Sequence, residues 1–274
     1  MAARSFWKGF ITIASTFNVP VKMITMREDK NFKAHMYRAS DMSRIKMPKV
    51  AEKDGATVSD ADIVYGYDVN DGKEVVILSK EEKKAARPES DRKIKITGFV
   101  SLPEVDQMYL DTPYILVPDG MPEAYSLLLE AFKVRGEAGI GRITIREKEY
   151  TALIHAYRGG LVLSTLKYLD EVRVPSEMDD LKKLPAVDGN NLNVAISILD
   201  ALRAPFDLSA PDTARVNLMA IIEAKRRGEA IAAVKPEAVK PAMDLMAALK
   251  ATLASVEGQK DTPAPQRESE MPAR

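Results

Sequence analysis

The sequence has no cysteine in its 274 residues. That absence excludes a disulfide framework, a thiolate zinc site and a thiol nucleophile together, and it fits a reducing, cytoplasmic setting. Histidine is nearly as scarce, with only His35 and His155. Both sit in alternating, strand-like stretches, where structural or surface roles outweigh catalysis. Aromatics make up 6% of the chain and are not interleaved with bases, which argues against reading single strands by base stacking. No apolar run approaches the roughly 18 residues a membrane span needs, and the stretch from Met1 to Lys8 lacks a signal-peptide hydrophobic block. With 46% hydrophobic residues, the composition is that of a globular protein with a sizeable core.

Net charge is also absent, with 40 basic and 40 acidic residues, but the balance is uneven along the chain. Residues 1–60 hold eleven Lys/Arg against six Asp/Glu, residues 61–130 eight against fourteen, and residues 131–170 seven against four. Such segregation lets one surface carry positive potential while the remainder stays acidic; a mixed, solvated surface would give the same blocks.

Apolar and β-branched residues cluster over Phe6 to Ile13, and Phe32, Ala34 and Met36 alternate with Lys33 and His35, so the first 37 residues read as strands. Residues 38–60 lack apolar periodicity and read as an exposed, basic excursion. Strands are expected at Glu74–Leu78, Lys93–Ile96 and Tyr114–Val117, then at 139–147, 150–157 and 160–168, the last two joined by a tight turn at Arg158-Gly159-Gly160. Tyr125, Leu128, Leu129 and Phe132 form one stripe of a helix that starts at Pro122 and stops at Gly136. From Asn190 the pattern is helical: one helix through Leu192, Ile196 and Leu199, a second through Val216, Met219 and Ala220, and a third over 241–254 behind a Lys-Pro linker. Strands grouped apart from helices indicate an α+β fold, a closed barrel with a helical arm. The expected domains are a core over 1–185, a helical region over 186–255 and a disordered polar tail over 256–274.

No catalytic signature is found. Gly136 to Gly141 looks like a phosphate loop but runs from helix to strand, the reverse of the order that aims amides at phosphate, and reads as a turn. No pair of carboxylates is spaced for acid–base work. A lysine acting as a Schiff-base nucleophile stays open, since that chemistry has no motif. No cofactor or metal is called for. A Lys/Arg-rich excursion without aromatics suits duplex phosphate contact.

In order along the chain stand Phe6-Trp7-Lys8-Gly9-Phe10-Ile11, Asn18-Val19-Pro20-Val21-Lys22, Asp62-Ile63-Val64-Tyr65-Gly66-Tyr67 and Lys73 to Glu82. Ile96-Thr97-Gly98-Phe99-Val100, Asp111 to Asp119, Ala138-Gly139-Ile140-Gly141-Arg142, Ile222-Glu223-Ala224-Lys225 and Asp244 to Leu249 follow. Through these motifs the chain resembles the prokaryotic Ku family from Arg4 to about Ser255. The resemblance implies a seven-stranded barrel per subunit, a symmetric homodimer, and two arms closing around duplex DNA. It also implies loading onto double-strand ends without sequence preference, no enzymatic activity, and recruitment of an end-joining DNA ligase with its associated polymerase and nuclease activities. The arm would fall at about 27–59, where the basic excursion was read independently. Folded as one hairpin of about 16 residues per leg, it would reach roughly 50 Å, against a half-girth of about 30 Å for a duplex. Many relatives carry cysteine near Lys49 to Gly55; Ala51 stands in that stretch here, so metal pinning of the arm is excluded.

The bases expected to contact phosphate are Arg27, Lys30, Lys33, Arg38, Arg44, Lys46, Lys49 and Lys53, with Arg142 on a barrel strand added. Each has a rival reading as a solvated surface base. Trp7 reads as core. Met243, Met246 and Leu249 would offer a face to the ligase partner, the rival being a cap packed on its own dimer. The competing functions are a lysine-based lyase trimming abasic sites near ends, and a scaffold with no DNA role. A cytoplasmic, nucleoid-associated location follows from the end-joining reading, with no membrane partner.

Overall fold

The computed structural model describes residues 4–88 and 91–229. The helix expected over 241–254, its Met243, Met246 and Leu249, and the tail over 256–274 lie outside the described residues. The chain divides into two compact units, Met1–Val174 and Pro175–Arg274.

In the first unit, β1 (Trp7–Ile13) and β2 (Phe17–Thr25) are followed by an excursion that returns through a hairpin, β3 (Tyr65–Val69) and β4 (Glu74–Leu78). A short helix α1 (Lys80–Ala85) then precedes β5 (Lys93–Ser101) and β6 (Leu110–Pro118). Helix α2 (Pro122–Arg135) separates these from β7 (Glu137–Ile145), β8 (Lys148–Tyr157) and β9 (Gly160–Leu166). Seven of the strands close a barrel in the order β1-β2-β6-β9-β8-β7-β5, while β3 and β4 pair only with each other. The seven-stranded α+β barrel expected from the resemblance is therefore present.

Alternation builds the barrel. Trp7, Gly9, Ile11 and Ile13 on β1, and Val19, Val21 and Met23 on β2, turn inward and, apart from the buried Thr12, are less exposed than their neighbours. They join Ile94, Leu116, Ile143, Ala152, Ile154, Leu161 and Leu163 in one core. All barrel pairings are antiparallel except the seam between β1 and β5, which is parallel from Phe10↔Lys93 to Ile13↔Ile96. Closure leaves no free barrel edge. Side chains are excluded where strands approach most closely: a Cβ on Gly9 would lie 2.0 Å from the Arg92 carbonyl, and one on Gly141 2.1 Å from that of Lys95. The β8–β9 turn is Arg158-Gly159, with φ of 44° and 88°, the left-handed pair of a type I′ hairpin.

Helix α2 packs its Tyr125, Leu128, Leu129 and Phe132 stripe on the core. Pro122 opens it, and Gly136, at φ 64°, ends it by donating its amide to the Phe132 carbonyl at 3.0 Å. The Tyr125 hydroxyl accepts from the Leu161 amide at 2.9 Å and donates to the Leu116 carbonyl at 2.7 Å. Leu116 and Leu161 face each other where the β6–β9 ladder ends, so this buried phenol extends the ladder and anchors α2 to it.

Two sequence expectations need correcting. Only Gly136 in the Gly136–Gly141 run turns; Gly139 and Gly141 lie in β7, where close packing demands them. The stretch 31–37 is not a strand, and only Tyr37 makes an isolated bridge. Its alternation has no partner among the described residues to complete it: Phe32 and Met36 are 39% and 52% exposed. Helix α1 escaped the sequence reading, although Ser79 and Glu82 form a capping box that its S-x-x-E spacing announces.

In the second unit the described helices are α3 (Asp179–Lys182), α4 (Gly189–Ala201) and α5 (Thr213–Arg226). Asp188 and Asp212 cap α4 and α5 through their carboxylates. Leu192, Ile196 and Leu199 on α4, and Val216 and Met219 on α5, are exposed, and among the described residues of this unit only Ile198 is buried. No described helix is long and apolar enough to cross a membrane.

Candidate nucleic-acid interface

The excursion from Met26 to Val64 leaves the barrel at the end of β2, and residues 27–50 are all exposed. Its sequence explains why it stays out. Over 27–59 it carries eight bases against five carboxylates, and it has no apolar period long enough to build a face. It is not the single two-legged hairpin expected. Its only isolated bridges, Tyr37↔Arg44 and Val50↔Thr57, close two separate short loops.

In the first loop, the Arg38 amide donates to the Ser43 carbonyl at 2.8 Å, and Met42 takes a left-handed φ of 57°. Asp41 holds the turn by accepting from the Ser43 amide and hydroxyl, which keep its carboxyl below the usual range. In the second loop, the Ala51 amide donates to the Ala56 carbonyl, Asp54 accepts from the Ala56 amide, and Gly55 supplies a φ of 70°. Each loop holds its bases on a local scaffold of hydrogen bonds.

The nine expected contact residues fall into groups. Arg27 sits at the root, its guanidinium donating to the Asp111 carbonyl at 3.4 Å. Lys30 pairs with Glu28, Arg38 with Asp41 at 3.2 Å, Lys49 with Asp60 at 2.6 Å, and Arg142 with Glu149 at 2.7 Å. Arg44 lies 2.9 Å from the His35 imidazole. Among the described residues, Lys33, Lys46 and Lys53 have no carboxylate partner. The excursion thus brings eight of the nine onto one continuous segment, while Arg142 stands apart on β7, directly opposite Lys95 of β5. Lys49 is tied most firmly: hydrogen bonding to Asp60 raises its pKa and lowers that of the carboxyl. The second partner of this knot, unseen in the sequence, is Lys80 of α1, which donates to the Asp60 carbonyl. Lys83 of the same helix lies 3.7 Å from the centre of the Tyr65 ring. The capping box is the signal that could have placed both lysines.

Beyond the loops, the β3–β4 ribbon is apolar on both faces, and the described residues cover neither. Tyr65, Tyr67, Val69 and Val76 share one face, Val75 and Ile77 the other, and all are exposed. A two-stranded hairpin alone is marginally stable in water. Among the described residues no group of three or more His, Asp or Glu is placed to hold a metal ion.

Residues 13–194 match the model of the Ku70/Ku80 beta-barrel domain. Relatives named "Non-homologous end joining protein Ku" align along most of their length. That of Archaeoglobus fulgidus is 35% identical over 255 residues, covering 92% of this chain and 99% of the relative. That of Koribacter versatilis is 32% identical, covering 94% and 88%, and that of Bacillus subtilis 32% identical, covering 91% and 81%. Among solved structures, the SPOC domain of human PHD-finger protein 3 aligns at 12% identity and a TM-score of 0.28, over 60% of this chain and 95% of that one.

Proposed function

The chain belongs to the Ku family, and from that premise we propose that it binds double-stranded DNA ends in non-homologous end joining, as a homodimer that encircles the duplex. The observation that carries the reading is the exposed basic excursion over 27–59, set on a barrel that closes without it. Phosphate contact needs positive charge on an accessible, sequence-blind surface, and that is what this segment offers. Binding is therefore independent of base sequence.

The homodimer draws support from the ribbon. Two apolar faces on one hairpin exceed what the described residues of one chain cover, and a two-fold partner would present the same patch in return. Recruitment of an end-joining ligase and its polymerase is assigned to the segment with Met243, Met246 and Leu249. Truncation after Val239 should leave DNA binding intact while ligase stimulation drops; loss of DNA binding would give the segment a structural role instead. The protein acts as a binder rather than an enzyme, so borohydride should trap no covalent adduct on abasic DNA.

The decisive test is topological. A closed ring enters only at a free end, so covalently closed circles should compete poorly against linear duplex at equal mass. A ring loaded on linear DNA should remain after both ends are blocked and salt is raised, since salt screens phosphate attraction but not topology. Restriction cleavage of the same DNA should then release it. Equal loss from blocked and cleaved DNA would replace the ring with an open clamp.

A further inference from the structure

At the root of the excursion, where β2 ends and β5 begins, two clefts meet on the barrel. One, of about 420 Å³, is lined by Phe6, Thr25, Tyr114, Arg146, Lys148 and Tyr150 among others. The other, of about 570 Å³, is lined by Ser5, Trp7, Lys8, Arg92 and Thr144, and shares Phe6 and Arg146 with the first. Both are of small-ligand size.

Four observations meet at this place. Arg92 and Arg146 both adopt left-handed backbone, with φ of 54° and 58°, which L side chains rarely do and which glycine would adopt more easily. Among the described residues neither guanidinium meets a carboxylate, whereas the neighbouring charges are engaged. Glu147 is held by Arg87 at 2.6 Å, Lys8 by Asp119 at 3.3 Å, and Lys148 by Glu171 at 3.4 Å. The Trp7 indole N–H is buried without an acceptor. In the first cleft Phe6 and Tyr114 pack with ring centroids 5.3 Å apart, and Tyr150 lines the same cleft.

Unengaged arginines paired with an aromatic wall suit one chemistry. We propose that this double cleft binds one nucleotide of a DNA strand, its phosphate between Arg92 and Arg146 and its base against Phe6, Tyr114 and Tyr150. The guanidinium fork matches phosphate oxygens in two-point contact, and aromatic faces accept any base. The strand that would occupy it passes the arm's origin, so this assignment rests on the DNA-end reading and extends it to a site the basic excursion does not contain.

The test uses the full-length protein with the variants Arg92→Gly and Arg146→Gly. Glycine relaxes the left-handed backbone, so both should melt no lower than wild type; Arg146→Gln provides a second variant if either loop proves sensitive. By isothermal titration wild type should bind dAMP, inorganic phosphate more weakly and deoxyadenosine weakest. Each variant should weaken dAMP by on the order of tenfold, the loss typical of one charge-assisted contact. Blunt duplexes with a 5′-phosphate or a 5′-hydroxyl then identify the source. A preference for phosphate that the variants abolish assigns the site to the strand terminus; equal weakening on both assigns it to an internal phosphodiester. Variants that bind dAMP and duplex like wild type overturn the proposal. Wild type that binds dAMP but no duplex would sink the DNA-end reading and leave the cleft standing; duplex binding without dAMP binding would do the reverse.

Discussion

The barrel strand β2 and the arm beyond it are written in the same alternating pattern, with opposite results. Val19, Val21 and Met23 alternate with Asn18, Pro20, Lys22 and Ile24 and are fully buried; Phe32, Ala34 and Met36 alternate with Asn31, Lys33, His35 and Tyr37 and remain exposed. Period two places side chains on opposite faces, but it supplies neither the partner strand nor the core. In β2 those come from β1 and β6, which flank it in register. Among the described residues nothing builds a strand or a core for 31–37, whose one bridge is Tyr37↔Arg44. The same contrast separates the barrel from the β3–β4 ribbon, whose strands pair but whose faces stay open.

The contrast implies very different energetic weights. Leu163→Ala, in the closed core, should cost roughly 2–5 kcal/mol, as large-to-small core substitutions do. Met36→Ala should stay within about 0.5 kcal/mol, as surface changes do. Urea unfolding of the free protein measures both. Comparable costs would show that the arm's apolar residues are packed in solution and would erase the distinction.

If the ribbon is where a second copy seats itself, its apolar faces carry association rather than folding. Val75→Asp with Ile77→Asp should weaken dimerisation by about a hundredfold or more, from two buried aliphatic side chains at about 1.5–3 kcal/mol each. The barrel's melting temperature should hardly move. Sedimentation equilibrium provides the measurement, and an unchanged dimer would place the interface elsewhere.

The barrel was legible in the sequence because its signals are local: the apolar, β-branched cluster of Phe6 to Ile13, the Pro122-to-Gly136 punctuation of α2, and Arg158-Gly159-Gly160 as a tight turn. The candidate interface was legible only as composition. Which bases are engaged depends on contacts such as Lys49 with Asp60, eleven residues apart, and Arg142 with Glu149 across a hairpin. Arg92 and Arg146 were passed over because a left-handed arginine leaves no trace in a hydrophobic pattern.

Charge reversal of Arg38, Arg44 and Lys46 to Glu attacks the arm without touching the barrel. Affinity for duplex should fall by on the order of tenfold or more, equally on unrelated sequences, because phosphate contacts carry no base information. Wild type neutralising about 8 phosphates should show a slope of log K against log salt near −7, and the variant's slope should be shallower by about 0.9 for each phosphate no longer neutralised. Filter binding across a salt series reads both. A loss confined to one sequence would mean base readout.

The smallest expected effect tests whether ion pairs within the arm hold its bases back from phosphate. Hydrogen bonding and charge from Lys49 lower the Asp60 carboxyl, and Asp60 in turn raises the lysine. The carboxyl's share of the pairing is complete above its unfolded value of 3.8 and is lost as pH falls through the lowered folded value. The lysine's share is complete below 10.5 and is lost as pH rises through the raised value. Between those limits both groups are charged, so at neutral pH Asp60 competes with a phosphate for Lys49. Asp60→Asn removes that competitor and keeps the carbonyl to which Lys80 donates. Duplex affinity should rise a few-fold, and the salt slope should steepen by about 0.9 for each phosphate newly contacted. Asp41→Asn, which frees Arg38 but disturbs a turn held by Ser43, should gain less. Weaker binding by Asp60→Asn would mean that Asp60 orients Lys49 toward the duplex, and that the paired bases, rather than Lys33, Lys46 and Lys53, make the contact.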